Sequence, residues 1–171
     1  MKKLALIAIS FLIGNSTFGQ QYITRTGEVK FEATMPGIEE IAATNKTASC
    51  IFNPKTNEFA ALVLIKGFKF KSPLMEEHFN ENYMESNTFP KATFKGKVLN
   101  FDARKLSASK TEFDIEGDLT IHGVTKKVKT KGIFSLNNTK LTVIASFDTK
   151  PQDYGIEIPK LVKDKIAKNV K

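Results

Sequence analysis

Apolar and polar residues alternate along most of the chain, which is the period of half-buried β-strands. Residues 29–35 alternate strictly and are followed by Pro-Gly, which predicts a strand closed by a turn. Residues 59–70 are apolar at nearly every position up to Lys66. This longer run predicts one strand covered on both faces, with Gly67 at a bulge or bend.

The clearest alternation lies in the second half of the chain. Residues 113–121 place apolar side chains on one face and mainly acids on the other, and residues 128–136 do the same with lysines. With a turn at His122-Gly123, an acidic ladder lies beside a basic ladder, where cross-strand pairs contribute about 0.2–1 kcal/mol each. This pattern predicts a solvated, self-paired face of a hairpin and not a binding surface. Asn137-Asn138 predicts the next turn, before an inward face in residues 141–147.

Two segments break the period of two and predict helices. Ser72 is a favourable N-cap and Pro73 a favourable first helical residue. One apolar stripe then follows at helical spacing: Met75, Phe79 and Tyr83. Pro159 predicts a second helix at the C-terminus, with an apolar stripe and a lysine-rich remainder. The stripe consists of Val162, Ile166 and Val170, and the lysines are Lys160, Lys163, Lys165 and Lys168.

Together these elements predict an all-β (mainly β) fold with one short lid helix and a C-terminal helix, either an antiparallel β-barrel of about eight strands or a β-sandwich. Inward glycines at Gly96, Gly117 and Gly132 fit strands that bend to close a barrel. A barrel of this size has either a filled interior or room for one small ligand. The choice between these two states is the functional question.

The first 19 residues have the pattern of a signal peptide and not of the fold. Lys2 and Lys3 precede an apolar stretch at 4–14, and Thr17-Phe18-Gly19 offers small residues for cleavage before Gln20. The alternative is a membrane anchor, which the shortness of the apolar stretch disfavours. We expect a signal peptide at 1–19, a single domain at 20–171 and a periplasmic or secreted protein.

Composition narrows the function classes. One cysteine, Cys50, lies in an alternating apolar run, which favours a small buried hydrophobe over a nucleophile. The two histidines, His78 and His122, show no spacing typical of a catalytic triad or a metal site. We therefore expect no enzyme activity, no catalytic residue, no metal and no cofactor.

The net charge of +8 is compatible with nucleic-acid binding. In addition, lysines surround Phe68 and Phe70, as in a strip of aromatic side chains on which nucleic-acid bases stack. Expected export and the interleaving of lysines with acids argue against that interpretation. We expect no nucleic-acid partner and interpret the strip as a barrel rim.

Apolar side chains are abundant for so small a domain, and a group of them surrounds the predicted lid helix. The default interpretation is core, but together they can line a slot for a long chain, which gains about 0.8 kcal/mol per buried CH₂. The candidate lumen and lid residues are Phe59, Val63, Phe68, Phe70, Met75, Phe79, Met84, Phe89 and Phe94. Candidate mouth residues, suited to an anionic headgroup, are Lys66, Lys69, Lys71, Lys91 and Lys95.

Several segments resemble the YceI-like lipid/polyisoprenoid-binding family. Residues 117–126 (GDLTIHGVTK) resemble its signature hairpin, 75–79 (MEEHF) and 89–96 (FPKATFKG) resemble two further motifs in the same order, and 153–156 (DYGI) a fourth. The motif residues carried over are His78, His122 and Gly123, without a catalytic role. The resemblance implies an exported protein with an extended, lipocalin-like antiparallel β-barrel that encloses a long apolar ligand such as a polyisoprenoid, a quinone or a fatty-acid derivative.

The leading hypothesis is a binding protein that sequesters or carries a long-chain apolar small molecule. The alternative is a packed barrel that docks a membrane or protein partner through its basic face, which the lysine-rich C-terminal segment favours. Both leave open a peripheral membrane contact and either a monomer or a homodimer. Chains of this family usually continue into a closing strand, whereas this sequence stops at Lys171. The resemblance thus predicts either a gap in the barrel, with exposed edges that favour pairing with another chain, or a shorter closing strand. Our hypothesis is that closure is incomplete, so that the chain is less stable or dimerises.

Overall fold

The computed structural model describes residues 21–35, 40–159, 166–167 and 169–170. The predicted signal peptide lies outside these residues. The described chain is mainly β, as predicted, and its strands are β1 (Tyr22–Glu32), β2 (Ala42–Asn53), β3 (Glu58–Leu64), β4 (Lys69–Phe70), β5 (Lys91–Val98), β6 (Thr111–Ile121), β7 (Val124–Asn137) and β8 (Lys140–Ala145). Helix α1 (Pro73–His78) continues into a π-helical turn at Phe79–Tyr83. Short 3₁₀ turns lie at Ile65–Gly67, Ala103–Lys105 and Pro151–Tyr154. Among the described residues, no helix is long and apolar enough to cross a membrane.

The strands form one antiparallel sheet in the order β1-β2-β3-β5-β6-β7-β8, with β4 paired to β2. Because each neighbour reverses direction, the two outer strands β1 and β8 run the same way. Only a segment antiparallel to both can join their edges in an antiparallel barrel. The sheet is nearly closed, which confirms the predicted barrel.

Residues near the C-terminus supply that antiparallel segment. Ile166 bridges Thr34, just after β1, and Val170 bridges Thr149, beyond β8. The backbone N–H of Val170 donates to the carbonyl of Thr149 at 2.7 Å, and the reverse bond measures 2.8 Å. At this seam the described residues therefore show two isolated antiparallel bridges, which narrow the gap between the two sides of the barrel.

These bridges also correct the predicted C-terminal helix. Ile166 and Val170 lie in extended bridges and not on a helical face, while Val162 and the four lysines predicted beside them lie outside the described residues. A spacing of four residues is compatible with both structures, because it places side chains on one face of a strand as well as of a helix.

The strand predicted over 59–70 is interrupted at the predicted bend. Strand β3 ends at Leu64, a 3₁₀ turn that contains Gly67 follows, and β4 resumes antiparallel pairing with β2 in the same direction as β3. Asn45 is fully buried, and its side-chain Nδ2 donates to the carbonyl of Leu64 at 2.8 Å. Gly67 packs directly against that amide, where a Cβ atom would overlap it. A buried polar side chain therefore ends the strand and requires glycine in the turn.

The predicted hairpin is confirmed. In the β6–β7 register Asp118 faces Lys127, and their side chains form an ion pair at 3.1 Å. His122 and Gly123 both have positive φ, 51° and 75°, as a two-residue type I′ turn requires. The acidic and basic ladders are exposed and face each other, so each pair stabilises the hairpin only modestly.

The lid helix starts as predicted. Ser72 caps α1 by accepting a hydrogen bond from the backbone N–H of Met75 at 3.4 Å, and Pro73 is the first helical residue. No side chain of α1 is fully buried. The helix therefore covers the barrel and is not part of its packed core.

The barrel interior has two different halves. At one end, a dense cluster is centred on Phe52, Val98, Phe113, Ile115 and Phe134, all 6% exposed or less. At the end covered by α1, the buried residues surround open space instead. The interior is thus filled at one end and hollow at the other.

Candidate functional site

The hollow half of the barrel is a cavity of about 970 Å³. Most voids in folded domains are few and no larger than a water molecule, so this cavity is far larger than packing defects. Its walls are formed by apolar side chains from the strands, the lid and the C-terminal bridges.

Eight of the nine residues predicted for the lumen and lid lie in the wall of this cavity. They are Phe59, Val63, Phe68, Phe70, Met75, Phe79, Met84 and Phe94. Sequence reasoning missed wall residues from the outer strands and from the C-terminal half. Among these are Val29, Phe31, Leu119, Ile121, Val128, Tyr154, Ile156, Ile166 and Val170. The inward period of their strands places several of them inside, but only the barrel brings them to the same space as the lid.

Phe89 is placed elsewhere. Its ring packs against the imidazole of His122 at a centroid distance of 4.2 Å, and it also covers Gly123, where a Cβ would lie 2.7 Å from the ring. Phe89 therefore supports the β6–β7 turn. It does not contact the cavity in the described structure.

Four phenylalanine rings meet beneath the lid. The ring of Phe79, which follows α1, lies 5.2 Å from Phe31, 5.7 Å from Phe68 and 5.0 Å from Phe70, measured between centroids. Aromatic pairs at these distances and inclined geometries are favourable by about 0.5–1.5 kcal/mol each beyond their buried area. They fix the lid over the barrel with apolar contacts.

The five lysines predicted for the mouth are not among the described residues that line the cavity. Lys69 donates to Glu76 at 2.5 Å, Lys71 pairs with Glu40, and Lys66 donates to the amide oxygen of Asn87 at 2.7 Å. Lys91 and Lys95 are exposed on β5, opposite Leu64 and Asp118 on the neighbouring strands. An anionic headgroup bound by these lysines stays a prediction.

The charged residues at the cavity edge alternate in sign. They lie on β1 and are Glu28, Lys30 and Glu32. All three are exposed, while the intervening Val29 and Phe31 point inward. The cavity therefore meets solvent beside the edge strand, and its depth is apolar.

Burial raises the pKa of two titratable groups, the hydroxyl of Tyr154 and the thiol of Cys50. For Tyr154 the charge of Asp153 makes a further contribution in the same direction. Cys50 is half-buried, and the raised pKa of its thiol disfavours the thiolate form.

Lid residue Glu76 is held ionised by its surroundings. The hydrogen bond from Lys69 holds the pKa of this carboxyl below its ordinary value, and the backbone N–H of Phe70 adds a bond at 3.3 Å. Glu76 thus ties α1 to β4, directly above the phenylalanine cluster.

His122 connects the signature turn to two other loops. Its Nε2 lies 2.8 Å from Glu85 Oε2 and its Nδ1 lies 3.3 Å from the carbonyl oxygen of Tyr154. His78, at the end of α1, lines the cavity. In the described residues no group of three or more His, Cys, Asp or Glu side chains is arranged to hold a metal ion. The contacts of His122 hold the β6–β7 turn against the segments that contain Glu85 and Tyr154, which is a structural role.

Comparisons with known structures return the same fold. A polyisoprenoid-binding domain from Saccharophagus degradans superposes with a TM-score of 0.74 at 17% identity, over 88% of this chain and 92% of that one. BcnA from Burkholderia cenocepacia gives 0.68 at 14% identity, over 84% and 91%. The Campylobacter jejuni YCEI protein gives 0.53 at 14% identity, over 99% and 94%. A search of curated protein sequences finds no match.

The sequence itself matches the profile of the YceI-like domain over residues 20–171. This match includes the signature hairpin, the lid motif and the strand that follows it. The chain belongs to the YceI-like domain family.

Proposed function

We propose that this protein binds a long apolar ligand, such as an isoprenoid, a quinone or a fatty-acid derivative, inside the barrel, and that it sequesters or carries this ligand through water. The observation that carries the proposal is the apolar cavity of about 970 Å³ beneath the lid. Water in such a cavity lacks polar partners. An apolar chain fills the same space with dispersion contacts on every side.

The energy of burial is sufficient without any catalytic or charged group. Each buried CH₂ contributes about 0.8 kcal/mol, so a chain of about ten carbons gains about 8 kcal/mol before the entropic cost of binding. The described structure places a wall of aliphatic and aromatic side chains where this gain is realised. Such a wall supports a binding role.

Two comparisons support this proposal. The Saccharophagus degradans domain, which shares the fold, is a polyisoprenoid-binding domain. The family match begins at residue 20, which is the residue after the cleavage site predicted from the sequence. That coincidence supports removal of a signal peptide and a periplasmic or secreted location.

The alternative of surface docking has less support in the described structure. Ile166 and Val170, expected on the apolar stripe of a lysine-rich helix, lie in β-bridges and line the cavity, while the lysines of that segment lie outside the described residues. Ligand binding in the lumen is therefore the function that the geometry supports best.

The test is to express the full chain with its N-terminal segment in a bacterial host, recover the periplasmic fraction, purify without detergent and extract the folded protein with organic solvent. We expect mass spectrometry to show a near-stoichiometric polyprenoid, quinone or acyl species. An empty extract, together with no uptake of such lipids by the folded protein, would contradict the proposal.

Phe79→Asp provides the matched variant. Phe79 is half-buried and faces the cavity from the lid, so a carboxylate there places a charge among apolar ligand atoms. We expect the variant to fold, as circular dichroism can check, and to lose its extractable lipid. Phe68→Asp is less informative, because Phe68 is 5% exposed within the buried cluster and its replacement also damages the fold.

A further inference from the structure

The cavity ends at a floor that separates it from the packed half of the barrel. Three residues both line the cavity and belong to the packed cluster: Phe59, Phe94 and Ile115. The remaining members of that cluster do not contact the cavity in the described structure. A ligand chain that enters from the lid end therefore reaches these three side chains before any other member of the packed cluster.

The position of Phe94 is set by two glycines. Gly96 and Gly117 are partners on neighbouring strands β5 and β6. A Cβ at Gly96 would lie 2.7 Å from the Phe94 ring atom Cζ, and a Cβ at Gly117 would lie 2.8 Å from it. The ring therefore occupies the space that two side chains would otherwise fill, and it rests on the backbone of both strands.

The rest of the floor is supported in the same way. The Cδ1 atom of Ile115 covers Gly132 on β7, where a Cβ would lie 2.5 Å from it. The ring of Phe59 packs beside Phe94 at a centroid distance of 6.0 Å. Glycines on three consecutive strands thus allow the floor side chains to pack directly against the backbone. A ligand therefore cannot displace these side chains toward the strands.

We propose that Phe94 sets the maximum chain length that the cavity accepts. This inference rests on the proposed function. Binding free energy rises with each methylene that enters the apolar space. Once the chain end contacts a ring that is seated on backbone, further carbons stay in water or fold back, and affinity stops rising with length.

The test measures binding against chain length. Straight-chain primary alcohols of increasing length compete with the neutral dye N-phenyl-1-naphthylamine for the delipidated protein. For the unmodified protein we expect affinity to rise with length and then to level off. In Phe94→Ala, which deletes six carbons from the floor, we expect the levelling point to move to alcohols a few carbons longer.

Phe79→Ala is the matched control, because it deletes the same six carbons at the lid end of the cavity. We expect it to weaken binding at all lengths and to leave the levelling point unchanged. An equal shift in this control would mean that total volume limits the ligand and would overturn the assignment to Phe94.

Phe94→Leu keeps the test decisive if the alanine variant does not fold. It shortens the side chain while retaining an apolar floor, and we expect a shift in the same direction but smaller. A levelling point unmoved in every folded Phe94 variant contradicts this inference alone. Failure of the unmodified protein to bind any alcohol contradicts the proposed function instead.

Discussion

Gly117 illustrates how much can depend on the absence of a side chain. It lies in the middle of β6, opposite Gly96 on β5, and the space that its side chain would fill is occupied by the ring of Phe94 and the backbone of Gly96.

 The Gly96–Gly117 pair therefore brings two strands close enough for one aromatic ring to cover both. The sequence interpretation assigned these glycines to the bending of strands. The structure adds a steric requirement that a pattern of single residues does not contain.

We predict that Gly117→Ala destabilises the fold. The added Cβ would lie 2.5 Å from the Cα of Gly96 and 2.8 Å from Phe94, and overpacking of this kind costs about 1–3 kcal/mol. Urea unfolding of the purified variant measures the free energy of unfolding directly.

Gly27→Ala is the comparison variant. Its new Cβ would meet the carbonyl oxygen of Ala48 at 3.1 Å and the Cβ of Ala48 at 3.5 Å, so a small adjustment relieves the contact. We expect a smaller loss of stability than for Gly117→Ala. Equal losses of stability in the two variants would show that the packing of Phe94 against Gly117 imposes no particular steric requirement.

At the scale of elements, the lid depends on one ion pair as well as on its apolar face. Glu76 on α1 accepts a hydrogen bond from Lys69 on β4, and this bond holds the pKa of the carboxyl below its ordinary value of 4.5. A folded-state pKa below the unfolded one stabilises the fold above the unfolded value, and this stabilisation is lost as pH falls through the folded value.

We therefore predict that acid loosens the lid through Glu76. As pH falls from about 5 through the lowered pKa of Glu76, the unmodified protein should lose stability and release bound lipid faster. Glu76→Gln should show a weaker dependence in this pH range, because it has no carboxyl to protonate. Unfolding and lipid release measured between about pH 6 and pH 3 test this.

Glu77→Gln is the matched control on the same helix, since Glu77 is exposed. It should keep the pH profile of the unmodified protein. Identical profiles for all three proteins would contradict an anchoring role for the Glu76–Lys69 pair.

The elements also differ in how well a pattern predicts them. Ser72-Pro73 marked the start of α1 correctly, because capping acts between neighbours in the chain. The end of β3 was missed, because the side chain that ends it, Asn45, belongs to another strand. The C-terminal helix was wrong because Ile166 and Val170 have a spacing shared by helices and strands.

At the scale of the whole molecule, the described C-terminal residues lie between the two sides of the open seam and help to close the barrel there. The backbone N–H of Ala167 donates to the carbonyl of Ala33 at 2.9 Å, and Val170 exchanges hydrogen bonds with Thr149. Without this segment, the edges of β1 and β8 present unpaired backbone groups, which favour pairing with another chain.

We predict that deletion of residues 166–171 causes self-association and loss of the ligand, whereas the full mature chain sediments as a monomer. Sedimentation velocity distinguishes the two, and amide exchange on β1 and β8 reports whether their edges are protected. A full chain that sediments as a stable dimer would instead favour incomplete closure.

Ile166→Asp separates the two roles of this segment. Its backbone bridges need no particular side chain, but Ile166 also lines the cavity, where a carboxylate opposes an apolar ligand. We expect a monomer that has lost its lipid. Self-association of this variant would show that the side chain, and not the backbone pairing, protects the edges.

The sequence by itself determined the mainly β class, the β6–β7 hairpin with its turn at His122-Gly123, the lid helix and eight of the apolar residues in the cavity wall. These features follow from alternation, capping and turn chemistry, which act between residues close together in the chain. Only the tertiary structure decided that one half of the barrel is packed and the other hollow, that Phe89 supports a turn, and that the C-terminal residues close the sheet. Those outcomes depend on which distant side chains share a space, and periodicity along one chain does not contain that information.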